Sequence, residues 1–227
     1  MVMIIICLVG TMLNIGIYRL CFLTGIPLYL DTILTISVTL TGGLFWGVLC
    51  GALTNFIHHT FWGWGWEGYL FILCNAATAL VTWLFMRLFP RELNLYNGNF
   101  AVKSAANSSS LKSSRVSIVM DRVIVLIIFS FALCLAMSFL GGFIAATILT
   151  MTSSYNFRGS GITALFSATM FTNSPVYISE IVSRIPVNIV DRLISAFAGY
   201  GIALCARLSF MKPFYFSKNS ARSINSR

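Results

Sequence analysis

Three stretches hold most of the side chains suited to chemistry. The segment HHTFWGWGWEGYLF (58–71) sets His58, His59, Trp62, Trp64, Trp66, Glu67 and Tyr69 between two apolar runs. Adjacent histidines on a helix point about 100° apart, and no third ligand stands near in sequence, so no metal is expected. The rings have two readings. Trp and Tyr collect at bilayer interfaces because they are amphipathic, and the same rings beside Glu67 can stack on a planar or cationic solute. Asp31, in GIPLYLDT, is either a carboxylate favoured by a helix N-terminus or a contact to a ligand or partner. The third stretch, SEIVSRIPVNIVDRLISAFAGYG (179–201), spaces Glu180 and Arg184 as an i, i+4 pair before Pro186, which is expected to interrupt the helix. Asn188, Asp191 and Arg192 then fall in the first turns of the next helix. A broken helix carrying both signs of charge resembles those that line transporter cavities; a self-neutralising structural network is the other reading.

These groups stand out because the rest of the chain is so apolar. Apolar residues make up 58% and charged residues 9% of the 227 positions, with a mean hydropathy of +0.87. No single soluble core hides that much apolar surface, which places the chain in a bilayer. The opening MVMIIICLVGTMLNIGIY has no charged leader or nearby cleavage motif, so it is expected to be a first span rather than a removed signal. The expected fold is an all-α polytopic membrane protein of one domain. Six transmembrane helices, near 1–20, 27–41, 44–61, 67–88, 120–150 and 187–209, form a compact bundle. The second is short and starts at Pro27, a residue favoured at the first helical position; it is expected inside the bundle or locally broken. TGG at 41–43 folds the uncharged stretch between Asp31 and Glu67 into a hairpin. Small residues at Gly43, Gly47 and Gly51, and at Gly141, Gly142, Ala145 and Ala146, are suited to close helix approach.

The net charge of +9 is informative through its placement. Arg87, Arg91, Lys103, Lys112, Arg115 and Arg122 surround a Ser/Asn-rich linker (90–119), and Arg207, Lys212, Lys218, Arg222 and Arg227 sit in a tail (210–227). By the positive-inside rule both regions are cytoplasmic, as are both termini. This placement favours lipid over nucleic acid as the partner of the basic residues. The cysteines at 7, 21, 50, 74, 134 and 205 are scattered singly and read as small buried hydrophobes.

Two segments together resemble the substrate-binding S components of energy-coupling factor (ECF) transporters. They are GIPLYLDTILTISVTLTGGLFWGVLCGALTNFI (25–57) and SEIVSRIPVNIVDRLISAFAGYGIA (179–203). The resemblance implies a bacterial inner-membrane subunit that binds a vitamin-like micronutrient from outside and is energised by a transmembrane scaffold subunit and two ATPases. It makes the 58–71 loop an outer gate, with Asp31, Trp62, Trp64, Trp66, Glu67, Tyr69, Glu180, Arg184, Asn188 and Asp191 as candidate pocket residues. Where the family carries an Ala-x-x-x-Ala docking face on its first helix, this chain has Cys7, Gly10, Thr11 and Asn14. The chain begins MVMIII rather than with the Met-His site of the nickel and cobalt branch.

The sequence carries no GxxxxGK[ST] phosphate loop, so ATP hydrolysis would belong to partners. HExxH and GxSxG motifs and paired span carboxylates are also missing, so no enzyme and no cofactor are expected. The alternative function is a ligand sensor signalling through a separate partner.

Overall fold

The computed structural model describes residues 2–62, 66–93, 95, 111–152 and 175–206, with side chains described from 119 onward in the fourth of these segments. The chain runs through α1 (Val2–Thr24), α2 (Ile33–Gly42), α3 (Leu44–Trp62), a 3-10 turn (Trp66–Phe71), α4 (Ile72–Leu88), α5 (Leu111–Thr152) and α6 (Val176–Ala206). No strand occurs among the described residues. Four stretches are long and apolar enough to cross a membrane: Val2–Thr24, Trp66–Leu88, Val119–Met151 and Val176–Ala206. Together with the shorter apolar α2 they make this a multi-pass helical membrane protein. Large apolar side chains such as Ile5, Leu8, Met12, Leu135 and Phe139 are exposed along the perimeter, as lipid contact requires.

The central element is α2. Its 10 residues span about 15 Å, half of a hydrocarbon core, and residues 33–41 are all buried. It packs against α1, α3, α4 and α6. Four of its ten residues are hydroxylic, and two of these bond back to their own helix: Thr39 Oγ1 donates to the Thr35 carbonyl at 2.7 Å and Thr41 Oγ1 to that of Ser37 at 2.9 Å. The Asn14 amide spans three helices. Its oxygen accepts the Leu34 N–H at 2.9 Å, and its nitrogen donates to Thr35 Oγ1 at 3.1 Å and Thr54 Oγ1 at 3.4 Å. An α1 side chain thereby caps a free donor at the start of α2.

Three boundaries differ from the sequence expectation. The second helix begins at Ile33 rather than Pro27, because residues 25–32 form a non-helical strap. Leu30 takes a positive φ of 47°, and Asp191 accepts the Tyr29 and Leu30 N–H groups. Pro186 does not interrupt α6, which starts eleven residues before 187 and passes through it. In lipid a broken helix would bare its backbone, and α5 adds support where the Cys134 thiol donates to the Ile185 carbonyl at 3.8 Å. The last part of the expected linker, 111–119, is helical as the start of α5; neither Gly nor Pro interrupts it, and extending a formed helix costs little. The remaining linker at 94 and 96–110 and the tail at 210–227 lie outside the described residues.

The bundle has two tiers. Around the lower half of α2, Ile36 and Leu40 join Leu93, Leu95, Leu126, Phe129, Leu133, Ala196 and Ala203 in a dense apolar plug. Phe85 and Phe89 stack at 5.6 Å beside it. The upper tier, at the N-terminal end of α2, stays open.

Close approach of α5 and α6 depends on Gly142, where an added Cβ would lie 2.6 Å from the Ile181 Cα. Gly142→Ala is expected to destabilise the detergent-solubilised protein by about 1–3 kcal/mol. Gly16→Ala, which meets open space, should be neutral or stabilising. Identical melting curves for the two variants would refute the tight contact.

Candidate functional site

Above the plug lies a cavity of about 600 Å³. Every helix except α2 contributes to its wall: Ile15, Tyr18 and Phe22 from α1, Thr54, Asn55, His58 and His59 from α3, Cys74 and Asn75 from α4, Met137 and Gly141 from α5, and Arg184, Asn188 and Arg192 from α6. The strap adds Gly25–Tyr29 and Asp31. The α6 residues recur at i, i+4 and i+8, so one helical face presents a guanidinium, an amide and a second guanidinium in succession.

The lower end of this face is an ion cluster at the entry to α2. Asp191 is 0% exposed, and its Oδ1 accepts the N–H of Tyr29 at 3.0 Å and of Leu30 at 2.8 Å. Its Oδ2 lies 3.0 Å from the Arg192 guanidinium, an ion pair out of hydrogen-bond alignment. Arg192 also donates to Thr32 Oγ1 and approaches Asp31 Oδ1 at 4.0 Å. Asp31 Oδ2 accepts from the Asn75 amide at 3.3 Å. Two carboxylates thus share one guanidinium, and each charge has an opposite partner in a setting where isolated charges are very costly.

At the upper end the Arg184 guanidinium meets Glu180 at 3.5 Å. Asn188 donates to Ser138 Oγ at 2.9 Å. Across the cavity the Tyr18 ring contacts His58 edge-on at 4.5 Å, and the rings of His58 and His59 are 5.1 Å apart. Nε2 of His58 and Nδ1 of His59 are buried without a hydrogen-bond partner. Among the described residues no third His, Cys, Asp or Glu joins them in a metal site. The wall therefore offers charge-assisted donors on α6, hydrogen-bonding imidazoles and amides on α3 and α4, and apolar surface from Ile15, Phe22, Phe71 and Met137.

Of the sequence candidates, Asp31, Arg184 and Asn188 line the cavity. Asp191 stands behind the wall and holds the strap, while Glu180 pairs with Arg184 from outside the lining. The aromatic loop divides. Trp62 packs against the Arg19 guanidinium at 5.0 Å and lies 5.8 Å from the His58 ring, outside the lining. Trp66 is 62% exposed, and Tyr69 bonds Thr60 at 3.3 Å; with Glu67 they stand outside the lining too. Trp64 lies outside the described residues. The docking face also reads differently: Cys7, Gly10, Thr11 and Asn14 are buried against α2 and α3, with Thr11 Oγ1 donating to the Cys7 carbonyl at 3.0 Å. Short side chains on α1 bring helices of the same chain together, and this face is covered within the described bundle.

Tyr18, Thr54, Asn55 and Asn75 were absent from the sequence candidates. Single polar residues inside apolar spans were the available signal, since each must be satisfied at membrane depth. Comparison with protein-family models, curated proteins and solved structures finds no match to this chain.

Asp191→Ala leaves two strap amides without their acceptor and Arg192 without its nearer ion-pair partner. A loss of about 3–5 kcal/mol is expected, with faster amide exchange at Tyr29 and Leu30 than at residues of α4. Unchanged exchange at those two amides would show that the carboxylate does not hold the strap.

Proposed function

We propose that the chain is the solute-binding subunit of a membrane uptake system, similar to the ECF S components. In this reading six helices cross or enter the bacterial cytoplasmic membrane, both termini are cytoplasmic, and the cavity opens outward. The observation that carries it is a cavity of about 600 Å³ walled by Arg184, Asn188, Asn75 and two histidines and backed by an apolar plug. Ligand pockets combine apolar surface with a few convergent polar groups in this way. The plug favours a receptor that holds a vitamin-like solute over an open channel, and moving the solute onward would need work from partners. Those partners are a transmembrane scaffold and two ATPases, meeting a surface other than the buried α1 face. The chain itself is non-catalytic.

The test is to purify the protein in neutral detergent, identify co-purifying small molecules by mass spectrometry, and titrate the stripped protein with them. Cys74→Phe places a ring in the cavity and is expected to weaken binding by about 100-fold, some 2.7 kcal/mol. Trp66→Ala is expected to change affinity less than about two-fold, being an exposed interface ring. Retention of full affinity by Cys74→Phe would refute the cavity as the binding site. Co-purification of a scaffold and ATPases would support uptake; a lone signalling partner would favour a sensor.

A further inference from the structure

The two cavity arginines are not equivalent. Arg192 is occupied by Asp191 at 3.0 Å, Asp31 at 4.0 Å and the Thr32 hydroxyl. Arg184 is 7% exposed, yet among the described residues its one polar contact is to Glu180 at 3.5 Å, the outer limit of a hydrogen bond. Its Nε is buried and unpartnered, as is that of Arg192, so the two differ in the partners of their Nη groups. A guanidinium has five N–H donors in a planar fork; here the Nε donor is dry and unmet, which is costly, and Nη1 has no protein partner among the described residues. The neighbouring wall does not meet that need. The Asn188 amide nitrogen is turned to Ser138, and Gly141 faces the guanidinium without a side chain, the site of an added Cβ being 3.9 Å from Nη1.

We infer that Arg184 is the anion-recognition residue of the cavity, so that its solute carries a carboxylate or similar oxyanion on an apolar or aromatic body. This rests on the solute-binding reading above. The anion accepts hydrogen bonds from the unused edge of the guanidinium fork, the geometry in which arginine binds carboxylates most strongly. The body of the solute lies against Phe22, Phe71 and Met137, which share the lining with Arg184. Asp31 does not oppose the anion, because it is grouped with Arg192, two helical turns or about 12 Å along α6. Glu180 competes for the fork and is displaced or left on its far edge. Gly141 keeps space clear on the cavity side.

The experiment uses the full chain in neutral detergent and two probes of matched shape, 1-naphthaleneacetate and its neutral amide, titrated by calorimetry. The acid is expected to bind at least about 10-fold tighter, the value of one charge-assisted hydrogen bond. Arg184→Gln should erase that difference, and Arg184→Lys should keep part of it. Glu180→Gln leaves the arginine in place and removes its competitor, so it should widen the preference. Equal binding of acid and amide, or a narrower preference in Glu180→Gln, would overturn the anion site while leaving solute binding standing. A co-purifying solute with no anionic group would do the same. If neither probe nor any co-purified solute binds, both readings fall. Short-chain phosphatidylglycerol is expected not to displace the acid; displacement would assign the oxyanion to lipid headgroups and overturn a solute source.

Discussion

A single buried carboxylate sets the architecture of the upper tier. Asp191 accepts the N–H groups of Tyr29 and Leu30 and lies 3.0 Å from the Arg192 guanidinium, so it ties the strap to α6. The strap descends into the bundle instead of continuing as helix, and α2 therefore starts at mid-depth. A half-length helix is stable there only if its entry and its side chains are satisfied without water. Asn14 supplies the acceptor for Leu34, and the Thr39 and Thr41 hydroxyls bond back to their own helix. What the half-helix leaves unfilled above its N-terminus is the cavity.

The division into a polar upper tier and an apolar plug follows from the same economy of charge. Ionisable groups at membrane depth persist where they find partners, and Asp31, Asp191 and Arg192 are gathered at one point. Below that level α2 offers Ile36 and Leu40 to apolar neighbours, and the packing closes. In the proposed reading, a solute entering from above would meet donors and imidazoles on the wall and find its way onward blocked. Binding and passage are separate problems for this fold, and the second requires rearrangement of a packed core. That separation is what joins the geometry to the proposed dependence on outside energy.

Much of the helical, multi-pass character was legible from composition alone. The short second helix was also visible, since no charge-free run between Asp31 and Glu67 could be one crossing. Its true start was not, because Pro27 at a first helical position is a local signal and the Asp191 contact that overrides it is 162 residues away at Tyr29. Pro186 misled for a related reason: its break rule describes helices in water, and lipid penalises the broken alternative more. For the cavity, charge pointed to Asp31 and Arg184, which line it, whereas aromatic density pointed to Trp62 and Trp66, which stand outside the lining. The deciding feature was which face each residue takes, and Asn55 and Asn75 reveal that only once α3 and α4 are packed. The small-residue stripe of α1 is legible only as a close contact, since small residues at four-residue spacing do not say whether the partner is the same chain, and here it packs on α2 and α3.

The most direct test of an outward-facing cavity is thiol labelling of Cys74, which lines it, in proteoliposomes of a variant with the other cysteines replaced by serine or alanine. A small charged methanethiosulfonate that cannot cross lipid is expected to label Cys74 from the face opposite the basic linker, and a bound solute is expected to protect it. Labelling from the linker side, or none in the absence of solute, would contradict a cavity above a sealed plug.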